Sequence, residues 1–270
     1  MKIAFIGGGV MAEAMISGLL QKGAADPASI WASDISPARR TLLSERYGVS
    51  TTAGNREAAA NGETLVLAVK PQALPEVLAE LAGKLEPGRV VLSIVAGASL
   101  ATLSRGLNHG WVVRVMPNMP AQIGEGISVW TATSAVTEAQ RQTAQTILGA
   151  LGREIYVSDE KFIDMATAVS GSGPAYVFLI IEALVDGAVR IGLPQDMATE
   201  LVLDTVLGAT RFAQQSGKHP AELRNLVTSP GGTTAEGLLK LEEGKLRAVI
   251  AAAVMAAYEK AIALKGASGR

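Results

Sequence analysis

The run Lys2–Ile6 passes without a linker into Gly7-Gly8-Gly9-Val10-Met11-Ala12 and then into a helical pattern starting at Val10. This junction restricts the fold more than any other feature of the chain. A turn with glycine at its first and third positions brings the backbone closer to a neighbour than side chains allow. With a small residue in the sixth place, the spacing is that of a strand–turn–helix unit in a parallel sheet.

The residues that follow supply the rest of such a sheet. Lys2–Ile6, Ile30–Ser33, Thr64–Ala68, Val90–Ile94 and Trp111–Met116 are short runs rich in apolar and β-branched residues. Helical patterns lie between them at Val10–Leu20, Pro37–Tyr47, Leu74–Leu85 and Leu100–Leu107. Strict alternation predicts parallel strands with crossover helices, hence a doubly wound α/β Rossmann sheet, mostly parallel. Ser128–Trp130 and Ile155–Val157, around a helix at Thr137–Leu151, extend it.

From Glu160 onward the pattern changes. Strand signals cease, and alanine, leucine and valine recur at helical spacing, broken by Gly-Pro, Leu-Pro and Pro-Gly-Gly. Helices are expected at Lys161–Val169, Pro174–Ile191, Pro194–Ser216, Pro220–Leu226, Thr233–Glu243 and Leu246–Leu264. The expected domains are therefore 1–158, a dinucleotide-binding Rossmann domain, and 159–270, an all-α domain. Val249–Leu264 is so poor in charge that burial against another helix or another subunit is expected.

Composition removes several partner classes from this reading. Net charge is −1, which gives no basic field for nucleic acid. Cysteine is absent, so disulfides and thiolate metal sites are excluded. No set of histidines and carboxylates has metal-ligand spacing. The most membrane-like stretch, Ala175 to Leu193, carries Glu182, Asp186 and Arg190 along one stripe, which reads as an amphipathic helix and not a span. A cytoplasmic protein is expected.

In this architecture the strand C-termini face the ligand crevice. Ile6, Gly7, Gly8, Gly9, Val10 and Met11 are read as cofactor-binding, with the pyrophosphate at the helix N-terminus. Asp34, after the second strand, favours NAD by accepting from the ribose; Ser36, Arg39 and Arg40 favour NADP by holding a 2′-phosphate. Ala68, Val69, Lys70 and Pro71 border the dinucleotide, and Val95 and Ala96, with Met116, Pro117 and Asn118, lie toward the nicotinamide.

The second domain is notable for what it lacks. A dehydrogenase acting on an alcohol needs a group to move the hydroxyl proton, yet residues 162–217 contain neither histidine nor lysine. They do contain Ser170-Gly171-Ser172-Gly173-Pro174 at a helix start. Later, Ser229-Pro230-Gly231-Gly232-Thr233-Thr234 opens another helix with free amides and hydroxyls suited to a carboxylate; ordinary N-capping is the plainer use of the same residues. A cyclic imine, readily protonated in solution, suits a pocket so poor in titratable groups.

Five motifs together resemble pyrroline-5-carboxylate reductase. They are Phe5-Ile6-Gly7-x-Gly9, Ala68-Val69-Lys70-Pro71, Arg114-Val115-Met116-Pro117-Asn118-Met119-Pro120, Ser170-Gly171-Ser172-Gly173-Pro174-Ala175-Tyr176 and Ser229-Pro230-Gly231-Gly232-Thr233-Thr234. The resemblance implies hydride transfer from NAD(P)H, most often NADPH, to the imine carbon of 1-pyrroline-5-carboxylate, giving L-proline. It implies an interlocked homodimer built by the helical domain, often assembled into a decamer, with the pocket at the dimer interface. Carried over, Val227, Ser229, Gly232, Thr233 and Thr234 hold the substrate carboxylate, Thr167 is the catalytic residue near the ring nitrogen, donating a proton or only positioning the ring, and Asn55 contacts the cofactor near its adenosine end. The β-hydroxyacid dehydrogenases share the plan but need a lysine at a place that falls near Val177 of this chain, where there is none. An imine reductase for another ring size is the remaining alternative.

Overall fold

The computed structural model describes residues 1–267; the last three residues of the expected 159–270 domain lie outside them. The first part alternates strictly: β1 (Ile3–Ile6), α1 (Val10–Gln21), β2 (Ile30–Ser33), α2 (Pro37–Tyr47), β3 (Ser50–Thr52) and α3 (Asn55–Ala60). Next come β4 (Thr64–Leu67), α4 (Leu74–Leu81), β5 (Val90–Ser93), α5 (Leu100–Leu107) and β6 (Val112–Met116). Then follow β7 (Gly126–Ala132), α6 (Glu138–Gly149) and β8 (Gly152–Tyr156). The remainder is helical: α7 (Lys161–Ala166), α8 (Gly173–Arg190), α9 (Gln195–Ser216), α10 (Pro220–Leu226), α11 (Thr233–Glu243) and α12 (Leu246–Ala267).

The strands form one sheet in the order β3-β2-β1-β4-β5-β6-β7-β8. β1 to β6 are parallel, β7 reverses against β6, and β8 pairs in parallel with β7. The order turns back at β1, with β2 on one side and β4 on the other, which makes the C-terminal ends of β1 and β4 the topological switch point.

Side-chain alternation explains why the central strands sort as they do. Ile3 and Phe5 of β1 enter one apolar core with Met15, Ile16 and Leu19 of α1. Ala4 and Ile6 enter the other, with Leu78 and Leu81 of α4. All four β1 residues are fully buried, as expected of a parallel strand covered on both faces. Burial of side chains such as Phe5 and Ile6 contributes about 1.5–3 kcal/mol each.

Several boundaries differ from the sequence reading. β3 and α3 lie in Ser50–Ala60, a stretch too polar and too short to show a period, and their pairing comes from the neighbouring β2. α4 ends at Leu81 and not Leu85, and Gly83 follows it at φ +63°. The helix expected over Lys161–Val169 is α-helical only to Ala166 and then widens into a π-turn, Thr167–Gly171.

Two compact units result, one made of Met1–Ser172 with the stretch from Ala256 onward, the other of Gly173–Met255. In the second unit α8 and α9 pack as a pair. Among the described residues of that unit only Val185 and Ala198 are buried hydrophobics, whereas Leu179, Leu201, Phe212 and Val249 each expose half or more of their surface.

In the first unit α1 is tied to α2 by one carboxylate. Glu13 accepts from Arg39 at 2.8 Å, Arg46 at 3.2 Å and the Tyr47 hydroxyl at 3.1 Å. Burial raises the pKa of Glu13, but the Arg39 and Tyr47 hydrogen bonds and the charges of Arg39 and Arg46 outweigh it, leaving the carboxyl below its ordinary 4.5. A carboxyl with a depressed folded-state pKa contributes stability above its unfolded value and loses it as the pH falls through the folded value. Glu13→Gln should therefore cost about 1 kcal/mol near neutral pH. In urea unfolding the gap between variant and parent should shrink as the pH falls from neutrality through the lowered folded-state value; a gap that does not change with pH would show that the carboxylate charge is not the cause.

Candidate functional site

Gly7 sits at the switch point. Its N–H donates to the Ser33 carbonyl of β2 at 2.9 Å. A Cβ in its place would lie 2.8 Å from the Ala68 carbonyl oxygen beyond β4, and its φ is +97°. Both space and dihedral therefore exclude a side chain. Gly8 is confined on the other side, where a Cβ would meet Leu43 Cδ1 at 2.8 Å. At Gly9, the N-cap of α1, nothing lies within 4 Å of the Cβ position, and no side chain caps the helix. Uncapped first-turn amides beside open space fit the pyrophosphate of a dinucleotide. Ile6 is buried beneath this turn, Val10 is exposed at its rim, and Met11 is half-buried.

Asp34 serves the turn directly. Its Oδ2 accepts from the Gly8 N–H at 2.8 Å, and its Oδ1 accepts from the Ser36 N–H at 2.8 Å. Ser36 is the N-cap of α2. Arg39 donates to the Gly8 carbonyl at 2.8 Å as well as to Glu13, and Arg40 donates to the Asp34 carbonyl at 2.7 Å. The acidic residue and both arginines thus brace the loop from inside the protein. Asn55, at the start of α3, accepts from Ser33 Oγ at 2.8 Å and donates to Glu80 at 2.7 Å, which ties the ends of β2 and α3 to α4.

The other strand ends line up beside this turn in the same unit. The Ala68 N–H donates to the Ile6 carbonyl at 2.8 Å; Ala68 and Val69 are half-buried, while Lys70 and Pro71 are exposed. Val95 is buried and Ala96 half-buried beyond β5. Met116 is half-buried at the end of β6, with Pro117 and Asn118 buried after it. The Asn118 side-chain oxygen accepts from the Ile127 N–H at 2.9 Å, so this end of the residue holds the start of β7.

Thr167 opens the π-turn. Its hydroxyl donates to the Ile163 carbonyl at 2.8 Å, and its carbonyl accepts from the Ser172 N–H at 2.8 Å. The turn packs on β6, since a Cβ on Gly171 would lie 2.8 Å from Met116 Cε. No local sequence signal marked this widened turn: the apolar spacing of Lys161–Val169 is equally good for an α-helix. π-turns of this kind recur at functional sites.

In the second unit Val227 ends α10, two-thirds exposed. The Thr228 hydroxyl donates to the Arg224 carbonyl at 2.6 Å, and Gly231 adopts φ +68°. Gly232 is the N-cap of α11, where a Cβ would meet the Ser229 hydroxyl; its N–H donates to the Ser229 carbonyl at 3.1 Å, and no side chain caps the helix. Thr233 and Thr234 form the first turn of α11. A turn of this geometry presents amides and hydroxyls to an anion.

A family model described as pyrroline-5-carboxylate reductase dimerisation matches residues 160–264. Another, described as NADP oxidoreductase coenzyme F420-dependent, matches residues 2–97. The pyrroline-5-carboxylate reductase of Synechocystis is 43% identical over 259 residues, 96% of each chain. Among solved structures, that of a pyrroline-5-carboxylate reductase from Coxiella burnetii has a TM-score of 0.89 and 39% identity, covering 97% of this chain and 98% of that one. A Plasmodium falciparum pyrroline carboxylate reductase with NADP bound has a TM-score of 0.90 and 30% identity, covering 98% of each.

Because Asp34 holds the Gly8 and Ser36 amides, Asp34→Ala should weaken NADH and NADPH alike. Leaving a half-buried amide without its acceptor costs about 1–3 kcal/mol, or about tenfold in Kd per 1.4 kcal/mol. Fluorescence titration with both cofactors checks this; a loss confined to NADH would assign the carboxylate to the ribose and not to the turn.

Proposed function

The chain belongs to the pyrroline-5-carboxylate reductase family, and from that premise we propose how its residues divide the work of the reaction. It is an NAD(P)H-dependent oxidoreductase that acts on a C=N bond and forms L-proline from 1-pyrroline-5-carboxylate. Bound NAD(P)H supplies the hydride that the imine carbon accepts.

The residues of the first unit hold and orient the cofactor. Gly7 and Gly9 clear the path for the pyrophosphate, and the α1 amides take up its charge. Ile6, Gly8, Val10 and Met11 shape the same turn, while Asp34 keeps Gly8 in place. Ser36 and Asn55 stand at the adenosine side. Ala68, Val69, Lys70 and Pro71 border the diphosphate, and Val95, Ala96, Met116, Pro117 and Asn118 border the nicotinamide. Thr167 is the residue we assign to the ring nitrogen, through its hydroxyl; it opens the π-turn whose far end, Gly171, rests on Met116 of β6. The imine is readily protonated in solution, and the Thr167 hydroxyl either donates that proton or positions the ring for it.

The second unit takes the substrate carboxylate at the Val227–Thr234 turn. Ser229 and Thr234 supply hydroxyls, Thr233 and Thr234 supply amides, and Gly232, whose own N–H donates to the Ser229 carbonyl at 3.1 Å, shapes the turn. The uncapped start of α11 is the single observation that carries this assignment.

We place the functional boundary near residue 158, where the residue pattern changes and close to the start of the dimerisation match at 160. The chain self-associates through this region. A homodimer is the proposed unit, and a decamer of five dimers the proposed assembly. The run Lys161–Arg190 is long and apolar enough to cross a membrane by length and composition. The π-turn interrupts it and Asp164, Glu182 and Asp186 charge it, so we read its exposed apolar surface as a subunit interface in a cytoplasmic enzyme without nucleic-acid or membrane partners.

Oxidation of NADPH on adding 1-pyrroline-5-carboxylate tests the reaction, with ring homologues assayed beside it; no turnover with either cofactor removes the enzyme reading. In sedimentation the assembly should exceed the 27.9 kDa of one chain by a factor of at least two; a monomer would refute the homodimer. Thr234→Ala should raise KM for the imino acid about tenfold, the value of one charge-assisted hydrogen bond, with Kd for NADPH unchanged. Equal loss of both would count against the carboxylate role.

A further inference from the structure

A buried ion cluster joins β6 to α7, and the roles assigned above leave it unused. Arg114 alternates along β6 with Val113 and Val115, which enter the opposite core. Its side chain is 3% exposed. The guanidinium donates from Nη1 to Glu160 Oε1 at 2.7 Å and from Nη2 to Asp164 Oδ1 at 2.6 Å. Glu160 is the residue before α7, and Asp164 lies one helical turn farther on. Lys265 of α12 balances the second carboxylate, 2.9 Å from Asp164 Oδ2. Glu160 Oε1 also accepts from the Leu100 N–H at 2.8 Å, at the start of α5. Two cations and two anions leave no net charge in the cluster.

The helix so gripped leads directly into the π-turn. At the far end of that turn Gly171 rests on Met116, two residues beyond Arg114 on the same strand. The segment from Glu160 to Gly171 is thus fixed to β6 at both ends, by the ion fork at its start and by the Met116 contact at its finish, with Thr167 between them. A guanidinium suits this task because its donors are rigid and divergent; a lysine ammonium is a single point charge that cannot hold two carboxylates one turn apart in fixed orientation.

We propose that Arg114 is a positioning residue for the reaction. Its fork sets the register of the π-turn, and so of the Thr167 hydroxyl, against the strand end that carries Met116 and Pro117. The proposal rests on the role assigned to Thr167. Buried ion pairs add little net stability and are better suited to selecting one arrangement among several.

Arg114→Lys keeps the charge balance and removes only the fork. Steady-state kinetics of R114K, T167V and the double variant, together with the Kd for NADPH of each, test the idea. R114K should lose about 10- to 100-fold in kcat, the cost of a misplacement near 1 Å, with KM and the NADPH Kd essentially unchanged. The double variant should be no slower than T167V alone, since residues acting through one another are not additive. Losses that multiply in the double variant, or a loss that falls on cofactor affinity, would each overturn the proposal. Undiminished kcat in R114K beside a damaged T167V overturns the positioning role alone, whereas undiminished kcat in T167V overturns the Thr167 reading and the proposal with it.

Discussion

The contact between the Gly7 backbone and the Ala68 carbonyl, at the point where the sheet order reverses, is the constraint from which the rest of the first unit follows. It requires the C-terminal ends of β1 and β4 to stand side by side, and so fixes where a dinucleotide can lie. The loop that makes the contact is not self-supporting. Asp34 holds it by the Gly8 amide, Arg39 by the Gly8 carbonyl, and Glu13 anchors Arg39 in turn. Residues that sequence patterns assign to ligand recognition here spend their hydrogen bonds on preparing the loop. Preorganisation of this kind lowers the entropy cost of binding.

How far the sequence discloses this arrangement depends on the kind of signal each element leaves. β1, β2, β4, β5 and β6 are buried on both faces and therefore read as apolar runs; their predicted and observed limits agree to within one residue. α2, α5, α10 and α11 begin or end at proline, glycine, serine or asparagine and agree fully. β3 and α3 left no trace, because Ser50–Ala60 is held by pairing with β2 and not by an apolar period of its own. The same distinction holds at the site. The glycine turn and the Pro-Gly-Gly turn depend on backbone space, which glycine spells out directly. The π-turn depends on register against β6, set by Arg114 and Met116 from fifty residues away, and no local window contains that information.

The two units differ in how each is stabilised. The first has two dense apolar cores around a sheet, with Trp130, Phe5 and Met15 fully enclosed. The second has helices of good length and spacing but almost nothing inside them. Its apolar residues are numerous, and they lie on the surface of the single chain. Scattered apolar residues are normal on a protein surface, whereas continuous ones mark an interface. The dimerisation match over residues 160–264 supplies the reason.

With only Val185 and Ala198 enclosed, the Gly173–Met255 helices have little internal driving force to remain assembled in an isolated chain. Their order is therefore tied by mass action to the abundance of other copies. In a cell that makes few molecules, newly synthesised chains would carry a finished cofactor-binding half and a half still waiting for its complement. Expression level would then govern the fraction of chains that is competent, and a variant poor at pairing would resemble a catalytic defect until its concentration was raised.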